Sequence, residues 1–166
     1  MGRSCPAQYV RQVEGRRFED IRRQHQQVLE VVARLETALR ARPESAAPGR
    51  DRRLLTALSE LLDFHESTLE PHMRDEEAHV YPLLHRYLPQ EIGSAEAMLR
   101  EHETARAIIR LLAQGRVRLR QRAPEAESDV AVLVQDLALL LREHIRKEDG
   151  VINPLLERLL REGVRS

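Results

Sequence analysis

The chain has 166 residues, with 27 basic and 27 acidic side chains, seven histidines, one cysteine and no tryptophan. A chain of this length most simply forms one domain, and a single cysteine excludes a disulfide framework or a cysteine-only metal cluster. The zero net charge argues against broad electrostatic capture of nucleic acid or acidic membranes. No apolar run approaches the ~20 residues of a membrane span, and the N-terminus has no signal-like apolar stretch. We therefore expect a cytoplasmic protein without nucleic-acid or membrane partners.

Helical periodicity dominates the chain, and no long stretch alternates with the period of a strand. Residues 1–15 form an arm without a strong pattern, residues 16–162 form the domain, and residues 163–166 form a short tail. Within the domain, four helices are predicted over residues 16–42, 52–87, 95–120 and 129–161. Gly93–Ser94 is the expected cap of the third helix. Long helices with short connections favour antiparallel neighbours, so the predicted class is all-α, an up-down-up-down four-helix bundle.

Apolar residues at helical spacing mark the face of each helix that should point inward. In the first two helices they are Phe18, Ile21, Val28, Leu29, Val32, Leu39, Leu54, Leu58, Leu61, Leu62, Leu69 and Leu83. In the last two they are Met98, Leu99, Ile109, Leu112, Val130, Leu133, Val134, Leu137, Leu140, Leu141, Val151, Leu155 and Leu159. Pro71, Pro82 and Pro154 lack the backbone N–H donor, so each should kink or restart its helix.

The chain repeats itself at an offset of 72 residues. Residues 72–88 read HMRDEEAHVYPLLHRYL and residues 144–160 read HIRKEDGVINPLLERLL, with eight identities in seventeen positions. Chance would give about one or two. Each half therefore supplies a helix pair whose second helix carries H-x-x-x-E followed by Pro-Leu-Leu, and the bundle should have a pseudo-twofold repeat.

The repeated histidine and glutamate lie on the apolar faces of their helices. His72 precedes Glu76 by four residues and His144 precedes Glu148 by four, so each pair projects to one side. Unpaired carboxylates in a bundle core are costly, and two of them indicate a cation. The first and third helices each add one histidine to the same face: His25 and His102.

Four imidazoles and two carboxylates amount to two metal positions, each with two histidines and one carboxylate. That donor set is associated with non-haem iron. The sequence leaves open whether each glutamate serves one metal ion or bridges two. A single inward histidine is most often an ordinary core residue, but its recurrence on four helices favours a site.

Other polar residues are weaker candidates. His65 and His79 share the face of His72 two turns away and are candidates for roles behind the ligands, whereas His85 points to solvent. Arg106 would face the site from the third helix, where it could stabilise an anionic ligand. A ferritin-type di-iron site is excluded because its second E-x-x-H motif is missing. No zinc-hydrolase signature, phosphate loop or nucleophile elbow is present.

The ligand pattern resembles the hemerythrin-like, HHE cation-binding family over about residues 16–162. The resemblance rests on the lone histidines, the two H-x-x-x-E motifs and the two Pro-Leu-Leu segments. It implies a non-haem di-iron centre, with the four histidines as ligands and the two glutamates as bridging carboxylates. The likeness is closer to four-His, two-Glu bacterial di-iron proteins of iron–sulfur-cluster repair and nitric-oxide response than to oxygen carriers. The carriers have a second histidine in place of Arg106 and an H-x-x-x-x-D motif, which keeps Asp149 as a weaker alternative to Glu148.

The expected function is that of a non-haem di-iron protein that binds or reacts with O2, NO or peroxide, in sensing, stress response or iron-centre repair. The expected cofactor is a pair of iron ions, with or without an oxo or hydroxo bridge. The alternative is a regulatory or scaffolding bundle whose metal is purely structural. The sequence leaves open whether the protein is an enzyme, which redox or client partner it has, and whether manganese or zinc replaces iron.

Overall fold

The computed structural model describes residues 6–41, 52–87 and 92–162, and these contain helices and turns but no strand. The elements are α1 (Pro6–Arg40), α2 (Arg52–Phe64), a π-helical turn π1 (His65–Leu69), α3 (Glu70–Asp75), π2 (Glu76–Val80), α4 (Tyr81–Tyr87), α5 (Ile92–Arg120), α6 (Ala126–Lys147), π3 (Glu148–Ile152) and α7 (Asn153–Glu162). They form four bundle helices: α1 is the first, α2 to α4 the second, α5 the third, and α6 with α7 the fourth.

The bundle helices pack in a ring. α1 packs against α2 and α6, α2 against α5, and α5 against α6. A small apolar cluster joins early residues of the first and third helices, Ile21 and Met98, to late residues of the second and fourth, Leu84 and Leu156. Ring neighbours therefore run antiparallel, and the predicted all-α four-helix bundle is confirmed.

The apolar core has two parts. The larger cluster fills one end of the bundle and includes Val32, Leu58, Leu112 and Val134. The smaller cluster, around Leu84, fills the other end. Between them lies a layer of buried polar side chains, so the candidate site is enclosed by apolar packing on both sides.

Pro71, Pro82 and Pro154 each come shortly after a π-helical turn, and this turn accommodates the proline within the helix. A proline in a regular helix would crowd the carbonyl four residues back and leave it without a donor. Here the residue before each proline donates its N–H to the carbonyl five residues back: Glu70 to His65, Tyr81 to Glu76, and Asn153 to Glu148. The wider turn inserts one residue without ending the helix.

Helix starts differ from the predictions in three places, one of them α6, which begins at Ala126, three residues before the expected start. α1 begins at Pro6, ten residues before the expected start, because proline suits the first helical position and the residues after it form helix without an apolar stripe. α5 begins at Ile92, so Gly93–Ser94 lies inside its first turn rather than before it. The division into arm, domain and tail stays a prediction, and the tail at 163–166 lies outside the described residues.

Three apolar residues predicted to point inward do not. Leu29, Leu99 and Val151 are 37%, 38% and 52% exposed. Leu29 and Leu99 lie at the edge of stripes whose centres are buried, and Val151 lies in π3, where the inserted residue turns it outward. The side chains of Phe18, Leu83 and Leu159, also predicted inward, lie outside the described part of the structure.

No helix in the described ranges combines the length and the apolar character needed to cross a membrane.

Candidate metal centre

All six side chains that the sequence singled out converge in the polar layer, and each is at most 4% exposed: His25, His72, Glu76, His102, His144 and Glu148. They form two groups that share both glutamates. The first position consists of His25, His72, Glu76 and Glu148. The second position consists of His102, His144, Glu76 and Glu148. Within each group the candidate ligand atoms lie within 4.8 Å of one another.

The π-helical turns place the two carboxylates. Glu76 begins π2 and Glu148 begins π3, each six residues before a proline of the internal repeat. His72 and His144 lie one regular helical turn earlier. The repeated sequence therefore produces the same local structure twice, and the antiparallel packing brings the two copies together.

A ring of four oxygen acceptors holds the imidazoles from outside. Each Nδ1 atom faces a side-chain oxygen from the preceding bundle helix around the ring. The distances are 3.0 Å from His72 Nδ1 to Gln24 Oε1, 2.9 Å from His102 Nδ1 to Glu77 Oε1, 2.9 Å from His144 Nδ1 to Glu101 Oε2, and 2.9 Å from His25 Nδ1 to Asp149 Oδ1. We call Gln24, Glu77, Glu101 and Asp149 the outer ring.

The outer ring decides which nitrogen of each histidine carries its proton. When Nδ1–H donates outward, the Nε2 lone pair points into the centre. His102 Nε2 and His144 Nε2 then face each other at 3.0 Å. Two lone pairs at this distance repel unless a proton or a cation lies between them. Nitrogens that share one metal ion at a right angle are also about 3 Å apart, since each lies about 2.1 Å from the ion in zinc sites.

Buried atoms in the centre lack hydrogen-bond partners, which tests whether a cation fits. His25 Nε2, Glu76 Oε2 and Glu148 Oε2 are buried and make no hydrogen bond. Such atoms are costly in a protein interior. A metal ion at each position would satisfy them, because imidazole nitrogen and carboxylate oxygen are ordinary metal ligands. The donor set therefore fits a metal centre.

A family model, the hemerythrin HHE cation-binding domain, matches residues 16–156. The chain belongs to the hemerythrin HHE cation-binding family. The predicted resemblance is confirmed, and the protein is a metal-binding, hemerythrin-like protein. None of the curated proteins and none of the solved structures compared with the chain matches it.

The metal-free HHE centre redistributes protons among its buried groups. Burial, and then the charge of Glu148, raise the pKa of Glu76. Burial opposes protonation of His25, but the neighbouring carboxylates of Asp149, Glu148 and Glu76 raise its pKa to about 11. Burial, and then the neighbouring charge of His25, lower the pKa of His72 to about 3. The two carboxylates thus depend on a positive charge beside them, which a metal ion would supply instead of a proton.

Tyr81 is a member of the HHE centre that the sequence analysis missed. Its hydroxyl donates to Glu148 Oε1 at 2.8 Å and lies 3.2 Å from His102 Nε2. Burial, and then the charges of Glu148 and Glu76, raise the pKa of Tyr81, so the phenol stays protonated as a donor. Tyr81 follows π2 directly, and a regular helical wheel gives the wrong direction after an inserted residue.

The weaker candidates lie outside the ligand layer. His79 is half-exposed, with Nδ1 3.0 Å from the carbonyl oxygen of Asp75. His65 is partly buried, 3.7 Å from Glu70, and burial lowers its pKa. His85 is exposed, as predicted.

Arg106 and Asp149 lie outside the centre: Asp149 contacts His25 directly, and Arg106 contacts Glu77, which in turn contacts His102. The Arg106 guanidinium donates to Glu70 and to Glu77 at 2.8 Å each, so it reaches His102 through Glu77 and does not point into the centre. Asp149, the weaker ligand alternative, accepts from His25 in the outer ring.

A small cavity adjoins the four histidines of the centre. Its volume is about 10 Å³, near the least that one water molecule requires. Apart from the imidazoles and Glu101, its walls are apolar: Val28, Leu69, Met73, Ala105, Leu140, Leu141 and Ile145. The arrangement combines a candidate metal centre with a small space whose walls are largely apolar.

Proposed function

We propose that the protein is a non-haem di-iron protein, with one iron ion at each position and Glu76 and Glu148 shared between them. The observation that carries the proposal is that both carboxylates belong to both ligand groups while each keeps one buried oxygen without a hydrogen bond. Two histidines with carboxylates at each position are typical of non-haem iron. His25, His72, His102 and His144 would be the imidazole ligands.

The class of ligand follows from the cavity. A space of about 10 Å³ beside the four imidazoles favours very small ligands such as O2, NO or peroxide over larger substrates. Bound iron would supply electrons and Lewis acidity there. Reaction with such molecules is consistent with a cytoplasmic role in sensing, stress response or iron-centre repair, without nucleic acid.

The chain's own groups would prepare the site in three ways. The outer ring keeps each Nε2 atom free of its proton and aimed inward. Tyr81 holds Glu148 in place and keeps a proton at its hydroxyl beside the second position. The apolar walls exclude water, which strengthens electrostatic interactions inside the site.

Stopped-flow spectroscopy of the reduced, iron-loaded protein tests this function. We expect oxidation by O2 and hydrogen peroxide, and slower reaction with a bulky organic hydroperoxide. Ala105→Val, which adds carbon to the cavity wall, should slow oxidation by O2 while leaving the iron content unchanged. Ala107→Val on the same helix lies outside the cavity wall and is the matched control.

The alternative, a bundle with a purely structural metal, makes the opposite prediction. Structural metal sites are fully ligated by protein and leave no open position. Bound zinc, or bound iron that none of these oxidants changes, would favour that alternative and contradict the proposed function.

A further inference from the structure

The internal repeat allows the two positions to be compared with each other. At the offset of 72 residues, Glu77 corresponds to Asp149, and both are carboxylates of the outer ring. The other two members correspond by their places before the lone histidines: Gln24 precedes His25, and Glu101 precedes His102. The outer ring is therefore symmetric except that one half has an amide where the other has a carboxylate.

The exception lies behind one ligand of the first position. His72 Nδ1 faces the neutral Gln24 Oε1 at 3.0 Å, whereas His144 Nδ1 faces the charged Glu101 Oε2 at 2.9 Å. Lys147 pairs with the other oxygen of Glu101 and fixes its direction. A hydrogen bond to a carboxylate is roughly twice as strong as one to a neutral amide, and it makes the imidazole a more basic ligand.

Two further departures from the repeat lie at the second position. Tyr81 donates to the shared Glu148 and also lies 3.2 Å from His102 of the second position, whereas its counterpart in the repeat is Asn153, which contacts Asp149 at 3.4 Å. Arg106 supports Glu77, and its counterpart, four residues after the lone histidine, is the apolar Leu29.

A surface depression borders one side chain of the first position. A depression of about 370 Å³ opens between the first and fourth bundle helices, and His25 and Asp149 form part of its lining. Arg22 and Leu29 are among the other lining residues. The imidazole of His25 is itself only 1% exposed, so the depression borders the first position without opening it to solvent.

We propose that the two positions are inequivalent: the first binds its metal ion more weakly than the second, and Gln24 is the positioning residue that sets much of the difference. The proposal rests on the two-metal centre of the proposed function. Changes to residues that support a metal ligand typically alter affinity by 10- to 100-fold, so about a tenfold effect is expected here.

Anaerobic titration of the metal-free protein with Fe²⁺, monitored by calorimetry, tests whether the two positions differ in affinity. Because the two ions would share two carboxylates, the second ion would bind more weakly than the first even if the positions were identical. The variants therefore test which position binds more weakly. Gln24→Glu should tighten the weaker binding phase by about tenfold. Gln27→Glu adds the same charge at an exposed site on the same helix and should leave both phases unchanged.

A second variant, Glu101→Gln, tests the same proposal if Gln24→Glu does not fold. Glu101→Gln makes the second position resemble the first and should weaken the tighter phase by about tenfold. Equal effects of Gln24→Glu and Gln27→Glu, or a Glu101→Gln variant whose tighter phase is unchanged, would overturn the inequivalence. Absence of any Fe²⁺ uptake would instead contradict the proposed function, so the two failures are distinguishable.

Discussion

At the level of single residues, the centre depends on which nitrogen of each histidine keeps its proton. Four oxygen acceptors outside the ligand layer make that choice, and each acts on an imidazole from a neighbouring helix. The candidate ligands are thereby oriented in the metal-free protein, which would reduce the ordering that metal binding requires.

A Tyr81→Phe variant tests the contribution of the one hydroxyl in the centre. Glu148 Oε1 would lose a donor in a buried site, so we expect the metal-free protein to lose about 1.5–3 kcal/mol in its free energy of unfolding. Urea denaturation measures this loss. Thr37→Ala, which removes an exposed hydroxyl bonded to the carbonyl of Ala33, should change it by less than about 0.5 kcal/mol. Equal effects of the two variants would contradict the role of Tyr81.

The inward residues were predictable but their supports were not. Spacing alone placed His72 and Glu76 on one apolar face, and the repeat did the same for His144 and Glu148. The outer ring was missed because each acceptor serves a different helix from its own, which no single-helix pattern reveals. One signal was available: each acceptor is the immediate sequence neighbour of a predicted ligand, Gln24 of His25 being one case.

At the level of elements, the π-helical turns explain why helical wheels succeed up to each turn and fail within it or directly after it. The sequence predicted disruption at Pro82 and Pro154 but not its form, because kink, restart and inserted residue all relieve the missing donor. The choice depends on packing against the neighbouring helices. As a result Tyr81 turns into the centre and Val151 turns out of the core.

The contact between α5 and α6 depends on a glycine. A Cβ atom added at Gly115 would lie 2.6 Å from Val130 Cγ2, whereas one added at Gly150 would meet nothing within 4 Å. Gly115→Ala should therefore destabilise the protein by about 1–3 kcal/mol, despite the higher helix propensity of alanine.

Thermal unfolding of two matched variants checks this. Gly150→Ala should be neutral or stabilising by up to about 1 kcal/mol, and its counterpart in the repeat is already alanine, Ala78. A Gly115→Ala variant as stable as the wild type would contradict this prediction, because it would show that α5 and α6 can move apart without a loss in the free energy of unfolding.

An exposed ion pair joins the first and fourth bundle helices. Arg142 donates to both carboxylate oxygens of Glu36, at 2.9 and 2.5 Å, and holds the pKa of Glu36 below its ordinary value. Water and salt screen the pair, so Glu36→Gln should cost only about 0.5 kcal/mol at pH 7. Because the folded pKa is lowered, the contribution is present above about pH 4.3 and is lost as pH falls through the folded value.

Urea denaturation of wild type and Glu36→Gln at pH 7 and pH 3 measures this dependence. The difference in free energy of unfolding between the two proteins should shrink at pH 3. It should also shrink in 1 M salt, where the Debye length is about one third of its value at 0.1 M. A difference that is the same in all three conditions would contradict an ionic origin.

At the level of the whole molecule, the bundle closes around its polar layer. Every bundle helix contributes at least one candidate ligand and one outer-ring acceptor, and apolar clusters fill both ends. Antiparallel order was predictable from helix length and short connections. The closed ring of supports was not, since it depends on how the four helices are rotated about their axes.

Metal removal should weaken the fold as a whole. Ions bound only by the folded state stabilise it by about 4 kcal/mol when the free metal is a thousandfold above its dissociation constant. Adding a chelator should therefore lower the melting temperature of the wild type. It should not lower that of a double variant that carries both His72→Ala and Glu148→Ala. An equal melting temperature with and without chelator would indicate that the ions do not join the helices.

Elemental analysis of the purified protein measures whether the six buried side chains bind two iron ions. We expect about two iron ions per chain, with loss of iron in His72→Ala and Glu148→Gln. His85→Ala, at an exposed histidine, should keep the full complement. Zinc in place of iron, no bound metal, or full iron content in the Glu148→Gln variant would show that the six side chains do not form a two-iron centre.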